Sequence, residues 1–271
     1  MKITQLRNAT VLIDLGPYRI LVDPMLAPKG ALPALKLGGG RRRNPTVELP
    51  EASEALLDSV THCLITHCQK GHFDHLDRAG KRWLRERAIP VICTPHDADY
   101  LRRRGLNVQP LADSGQEPQP CLGGQVSLVP CRHGRGAIGL LMEHGSGFFI
   151  EMPGEPTLYL SGDTILSPEV LAFVARHQPD VCLVPAGGAR FDLGHEIIMN
   201  AQDVVRLMEV AQGAVVANHL EALSHCPVTR GELLGAARAA GVADRLWVPE
   251  DGGAVSFTHV VAEPLLLSEA E

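Results

Sequence analysis

Short apolar runs separated by turn-forming residues recur along the chain and predict alternating strands and helices. Near the N-terminus, three runs that begin at residues 3, 10 and 18 predict a meander of strands, with Gly16-Pro17 as the last turn. Further strands are predicted at 63–65, 89–93, 125–129, 137–142, 148–151, 157–160, 181–184, 214–217 and 246–248. Helices are predicted at 76–87, 97–104, 168–176, 201–210 and 229–240.

These elements form two β-rich blocks, each followed by α/β alternation. This order predicts an α/β fold, a four-layer αββα sandwich of two mixed β-sheets with helices on the outer faces. We expect a single domain over residues 1–271, because the candidate ligands described below are spread over both halves. The segment 28–50 is rich in glycine, proline and arginine, which predicts a long mobile loop or lid, with disorder as the alternative.

Composition narrows the class of partner. The formal net charge of -6 and the pI near 6.1 disfavour nucleic acid and anionic membranes and favour a small-molecule substrate. No apolar run reaches the ~18 residues that a membrane span needs, and the N-terminal residues lack a signal-like pattern. The 7 cysteines have no CxxC spacing and indicate a reducing compartment. A cytoplasmic protein is expected, and a homo-oligomer is compatible with the sequence.

The stretch from Thr66 to His75 concentrates the candidate chemistry. It gathers His67, His72, Asp74 and His75 directly after the apolar run 63–65, where α/β folds place their sites. Imidazole nitrogens and carboxylate oxygens suit zinc, iron or manganese, whereas a thiolate-rich set would indicate a closed structural zinc site. The cluster therefore predicts a catalytic metal site.

Three more candidate ligands follow apolar runs farther along the chain: His133, Asp163 in a Gly-Asp-Thr turn, and His219. In this order the motifs resemble the metallo-β-lactamase superfamily, whose pattern is His-x-His-x-Asp-His, then His, Asp and His. The segments 8–13 and 20–24 and the Asn44-Pro45 pair are similar to the branch that contains ascorbate-6-phosphate lactonase.

The resemblance implies two divalent metal ions, zinc above all, with manganese or iron as alternatives. It assigns one ion to His67, His72 and His133, the other to Asp74, His75 and His219, and the bridging position to Asp163. It further implies a hydrolase that uses a metal-bound hydroxide to cleave a small ester or lactone. A phosphodiesterase of the same fold and a non-catalytic metal-binding regulatory protein remain alternatives.

Four side chains receive supporting roles in this hypothesis. Asp74 is the candidate for proton transfer to the leaving group, or else a ligand only. His195 is a candidate for substrate contact or proton donation. Asp23 follows a strand and could orient a ligand histidine, or simply form a turn. His225 could reach the pocket from the loop that carries His219.

One departure from the superfamily pattern stands in the first motif. Four residues, 68–71, separate His67 from His72, where the family has one. Since glycine tolerates positive φ, Gly71 is expected to let this spacer bulge outward and keep both imidazoles on one metal. Lys70 would then lie near the pocket mouth and attract an anionic group of the substrate, or else face solvent.

Overall fold

The computed structural model describes residues 1–36, 42–69, 71–113, 115–142 and 145–258. The expectation for Lys70 and the central part of the 28–50 loop lie outside these ranges. Fourteen strands occur in them: β1 (Lys2–Arg7), β2 (Thr10–Leu15), β3 (Tyr18–Val22), β4 (His62–Ile65), β5 (Pro90–Cys93), β6 (Asn107–Pro110), β7 (Gln119–Cys121), β8 (Gly124–Pro130), β9 (Ser146–Glu151), β10 (Leu158–Leu160), β11 (Val181–Pro185), β12 (Ala214–Asn218), β13 (Leu246–Trp247) and β14 (Ala254–Ser256).

The strands form two mixed sheets of seven strands each. The first sheet has the order β14-β1-β2-β3-β4-β5-β6, antiparallel up to β3 and parallel from β3 to β6. The second has the order β13-β12-β11-β10-β9-β8-β7, parallel from β13 to β10 and antiparallel beyond. The central parallel strands, β4 and β5 in the first sheet and β11 and β12 in the second, consist largely of buried apolar residues, as burial on both faces requires.

The described residues contain seven α-helices: α1 (Ser53–Leu57), α2 (Arg78–Glu86), α3 (Pro95–Arg102), α4 (Gly136–Leu141), α5 (Pro168–His177), α6 (Ala201–Val210) and α7 (Arg230–Ala239). All but α4 pack on the outer faces of the sheets, whereas Ile138 of α4 packs on a separate small apolar cluster that includes Ile197 and Ile198. Ile13 of the first sheet and Phe148 of the second share the central apolar cluster between the sheets. A second cluster packs α2 and α3 on the first sheet, and a third packs α5, α6 and α7 on the second. The predicted αββα sandwich is therefore present. Among the described residues, no helix is both long and apolar enough to cross a membrane.

One predicted strand is wrong. The run predicted as a strand at 137–142 forms α4 instead. A short apolar run is compatible with either element, and periodicity alone does not distinguish them. The sequence reading also overlooked α1, β6, β7 and β14, which are all short.

Candidate metal centre

The candidate ligands converge because each follows a strand at one edge of the sandwich. His67 lies two residues beyond β4, Asp163 three beyond β10, and His219 directly after β12. The Gly-Asp-Thr turn depends on Gly162, which has a φ of +61° and packs so closely that a Cβ would lie 2.9 Å from the Ser146 carbonyl oxygen. The strands thus fix the backbone from which the ligand side chains project.

The ligands form two groups. His67, His72 and His133 make up the three-histidine cluster, in which candidate ligand atoms lie within 4.8 Å of one another. The structure thus brings His67 and His72 together despite the spacer, and Gly71 has a φ of +94°. The other group, the carboxylate cluster, meets the same 4.8 Å limit and consists of Asp74, His75, Asp163 and His219.

Asp163 links the two clusters. Its Oδ2 atom lies 3.1 Å from His75 Nε2 and 3.4 Å from His219 Nε2. The same oxygen lies 3.8 Å from Nε2 of His133, which belongs to the three-histidine cluster. All seven candidate ligands are buried. One carboxylate oxygen therefore faces imidazoles of both groups.

The two clusters have opposite electrostatics. Burial, reinforced by neighbouring imidazoles, lowers the pKa of His67 well below its ordinary value, and burial lowers the pKa of His133 to about 4. In the carboxylate cluster, burial also favours neutral histidine, but nearby carboxylates, Asp163 foremost, outweigh it and raise the pKa values of His75 and His219. Conversely, although burial opposes ionisation, His75 holds the pKa of Asp163 well below its usual range.

Asp23 supports histidines of both clusters. His75 Nδ1 donates to Asp23 Oδ2 at 2.8 Å. The Thr66 backbone N–H donates to Oδ1 at 2.8 Å, and the Thr66 hydroxyl donates to Oδ2 at 2.6 Å. That hydroxyl lies 3.0 Å from His67 Nδ1, so it accepts from the ring while donating to Asp23. Such outer hydrogen bonds fix the tautomer and orientation of a ligand histidine.

The other ligand histidines contact different groups through Nδ1. These groups, which contact a ligand histidine without being ligands themselves, are called outer partners below. Nδ1 of His72 donates to the Gln69 carbonyl at 2.7 Å, and Nδ1 of His133 donates to the Ile197 carbonyl at 2.8 Å. His219 Nδ1 lies 3.5 Å from the sulfur of Cys226. These partners lie on loops, and no pattern in the sequence marks them.

Asn8 is a supporting residue that the sequence reading missed. It lies in the β1–β2 turn with a φ of +56°, and its carbonyl accepts from the His219 N–H at 3.0 Å. Its side-chain amide donates to the Asp74 carbonyl at 3.3 Å. His219 itself has a φ of +58°, a strained conformation of the kind concentrated at functional sites. The only available signal was the asparagine in a two-residue turn, since asparagine tolerates positive φ.

The two remaining histidine candidates occupy different environments. His225 is buried, stacks on Phe191 with ring centroids 6.0 Å apart, and has no partner for Nδ1 among the described residues. Burial lowers its pKa to about 4. His195 is exposed, and within the described ranges no hydrogen bond or ring contact joins it to either cluster. Its catalytic role therefore stays a prediction from the sequence.

The donor atoms fit bound metal. His67 Nε2 is buried and has no hydrogen-bond partner in the described part of the chain. Nε2 atoms of His72 and His133 face each other at 3.1 Å, although both rings already donate through Nδ1. When both rings are neutral, two lone pairs meet there, and a cation resolves that conflict. Imidazole nitrogens and carboxylates are the ligand set of catalytic zinc and related ions.

Comparison with known proteins agrees with this site. A family model described as a beta-lactamase superfamily domain matches residues 18–219. The UPF0173 protein YddR of Bacillus subtilis is 32% identical over 262 residues, covering 95% of this chain and 100% of that protein. A UPF0173 metal-dependent hydrolase of Xanthobacter autotrophicus is 31% identical over 206 residues, covering 72% of this chain and 74% of its own.

The fold of this chain is also similar to that of a solved structure. The isothiocyanate hydrolase from Delia radicum gut bacteria superimposes with a TM-score of 0.85 at 29% identity, covering 96% of this chain and 100% of its own. Fold and site thus define a metal-dependent hydrolase with the metallo-β-lactamase fold. The chain belongs to the metallo-β-lactamase superfamily and, within it, resembles the UPF0173 hydrolases over most of its length.

Proposed function

We propose that this protein binds two divalent metal ions, zinc above all, and uses them to hydrolyse a small uncharged ester or lactone. The observation that carries the dinuclear centre is the position of Asp163, whose Oδ2 atom faces His133 of one cluster and His75 and His219 of the other. A shared carboxylate reduces the repulsion between two cations and fixes their spacing. His67, His72 and His133 would hold one ion, and Asp74, His75 and His219 the other.

Two ions held in this way supply Lewis acidity, which activates water near neutral pH and stabilises negative charge that develops on the substrate. The chain's own residues keep the site ordered and largely shielded from solvent. Asp23 holds the rings of His75 and, through Thr66, His67. His75 and His219 keep the Asp74 carboxylate ionised despite its burial, which suits it to hold a cation. The same carboxylate is the group proposed to relay a proton to the leaving atom.

The flank of the site supports an uncharged substrate. A small apolar cluster adjoins it, made of Met25, Ala189, Ile197, Ile198, Leu223 and Cys226. Two of its members contact ligand histidines directly: Ile197 through its carbonyl and Cys226 through its sulfur. Phe191 packs against this cluster and stacks on His225. An apolar wall with a few polar groups is typical of small-molecule sites, and the neutral His225 imidazole could hydrogen-bond a substrate heteroatom there.

An isothiocyanate is a second candidate substrate. The similarity to an isothiocyanate hydrolase at 29% identity over 96% of this chain supports it. In that reaction water adds to the central carbon of R–N=C=S, the C–N bond breaks, and nitrogen takes up the protons to give an amine and carbonyl sulfide. Lactones, esters and isothiocyanates share an uncharged, electrophilic carbon, so the same site chemistry would serve all of them.

The test is a substrate panel with metal analysis. Protein purified without chelator and reloaded with zinc, manganese or iron should contain close to two ions and hydrolyse a γ-lactone, a phenyl ester or benzyl isothiocyanate faster than bis(p-nitrophenyl) phosphate. The Asp180→Asn variant, altered at an exposed carboxylate, serves as the control. A maximum of one ion would reject the dinuclear centre. Preferential cleavage of the phosphodiester would replace the proposed substrate class.

A further inference from the structure

Four residues separate His67 from His72, so the position of His72 depends on the contacts that hold this spacer in place. Cys68 is buried and Gln69 half-buried, so the first half of the spacer packs inward. The Gln69 carbonyl accepts from both the backbone N–H of His72, at 3.0 Å, and its ring Nδ1, at 2.7 Å. The orientation of the His72 ring therefore depends on where the Gln69 peptide lies.

The side chain of Gln69 is held in turn by Asp97. Gln69 Nε2 donates to Asp97 Oδ1 at 2.9 Å and to the His96 carbonyl at 3.3 Å. The Cys68 thiol donates to the same Oδ1 at 3.5 Å, and the Thr94 hydroxyl donates to Oδ2 at 3.3 Å. Asp97 is completely buried, so its carboxylate depends on these donors for solvation. Two consecutive spacer residues thus converge on one carboxylate.

Asp97 belongs to a rigid element. It lies in the first turn of α3, where the helix dipole favours negative charge. Ala98 and Leu101 of the same helix are buried in the apolar cluster that packs α3 on the first sheet. A loop fixed to such a position has a defined place relative to β4, which carries His67.

We propose that Asp97 is a positioning residue that acts through Gln69 to orient His72 in the three-histidine cluster. The inference rests on the proposed dinuclear centre and extends it to a residue outside the ligand set. The Asp97–Gln69 hydrogen bond fixes the position of the Gln69 peptide. The Gln69 carbonyl in turn fixes the orientation of the His72 ring. The spacer that departs from the superfamily pattern is in this way part of the metal site.

Charge changes at the two ends of this link provide the test. Gln69→Glu places a carboxylate against Asp97 and should weaken Zn²⁺ binding at His72 by about 10–100-fold, the usual effect of losing an outer partner. Asp97→Asn keeps an acceptor for Gln69 and should cost less than about 10-fold. The double variant restores a donor opposite the new carboxylate and should recover most of the affinity. Gln109→Glu, at an exposed position on β6, is the matched control.

The readout is a Zn²⁺ titration of ¹⁵N-histidine-labelled protein, followed at the ring resonances of His72 and His75, which report the two clusters separately. Gln69→Glu should shift the His72 transition and leave the His75 transition nearly unchanged. If Gln69→Glu fails to fold, Gln69→Ala gives a neutral truncation that should still weaken binding at His72.

Two results overturn the inference: an unchanged His72 transition in the Gln69 variants, or a double variant no better than Gln69→Glu. Wild-type protein that binds fewer than two ions contradicts the proposed function instead. The two failures are therefore distinguishable.

Discussion

The three-histidine cluster and the carboxylate cluster lie side by side yet are built on different principles. The first consists of three imidazoles whose outer partners are two carbonyls and a hydroxyl. The second contains two carboxylates, and its histidines contact Asp23 and Cys226. Burial lowers the pKa of His133, whereas carboxylates raise the pKa of His219 despite burial. The carboxylate cluster offsets the charge of a cation, so we expect it to bind its ion more tightly.

The largest expected effect comes from the residue that the clusters share. Asp163→Asn should reduce turnover by about 10³-fold, since several kcal/mol of charge stabilisation depend on a bridging carboxylate. The substrate KM should change far less, because the apolar flank is intact. Steady-state kinetics of the zinc-loaded variant beside Asp180→Asn measure this difference. Turnover close to wild type would show that the clusters work independently of a bridge.

Asp23→Asn should produce the next largest effect. It leaves one acceptor oxygen where Thr66 and His75 use two, so the support of His75, and of His67 through Thr66, is weakened and affinity should fall at both ions by about 10–100-fold. Competition with a zinc chelator measures both affinities. Asp77→Asn is the control, because Asp77 is also a buried carboxylate but caps α2. Loss at only one ion would mean that Asp23 serves a single cluster.

In the metal-free protein, histidines of the two clusters should make opposite contributions to the pH dependence of folding stability. Burial lowers the folded pKa of His133 to about 4, so below pH ~6.5 the unfolded chain takes up the proton first and stability falls. His133→Gln should remove about 2 kcal/mol of the loss between pH 7 and pH 5. The raised pKa of His219 stabilises the fold below ~6.5, and this contribution is lost as pH rises through the folded pKa. Urea unfolding of wild type and His133→Gln at several pH values measures the His133 contribution, and equal slopes in the two proteins would contradict it.

The smallest effect is expected at Cys226. Burial raises the pKa of this thiol, so it meets His219 as a neutral, weakly polar group. Cys226→Ser should change the affinity of the carboxylate cluster by less than about 10-fold. Chelator competition, with Cys93→Ser as the buried control, measures it. A loss as large as that in Asp23→Asn would show that the sulfur contact matters as much as a carboxylate.

Much of this architecture was predictable from the sequence. Each strand that leads to His67, Asp163 or His219 is a clear apolar run, so the sequence places these residues just beyond strands. Their grouping into one site came from the resemblance to the superfamily, because the strands belong to different sheets. The run that forms α4 was misassigned because its length suits either element.

The outer partners could not be predicted for a different reason. Gln69 and Asp97 are 28 residues apart, and Cys226 meets His219 across a loop with no regular pattern. Such contacts depend on loop conformation and rotamer choice, which local periodicity does not encode. His195 also lies in a loop and is exposed, and its role stays a prediction for the same reason.

The shared contacts of Asp23 have a consequence for how the ions load. Its carboxylate holds His75 directly and His67 through the Thr66 hydroxyl, so ordering one ring also orders the other. The first ion to bind would immobilise this carboxylate, and the second would meet a histidine whose freedom is already reduced. Binding at the carboxylate cluster should therefore raise the affinity of the three-histidine cluster, and Asp23→Asn should abolish this coupling. At limiting metal, doubly loaded molecules would be more common than independent binding at the two clusters predicts.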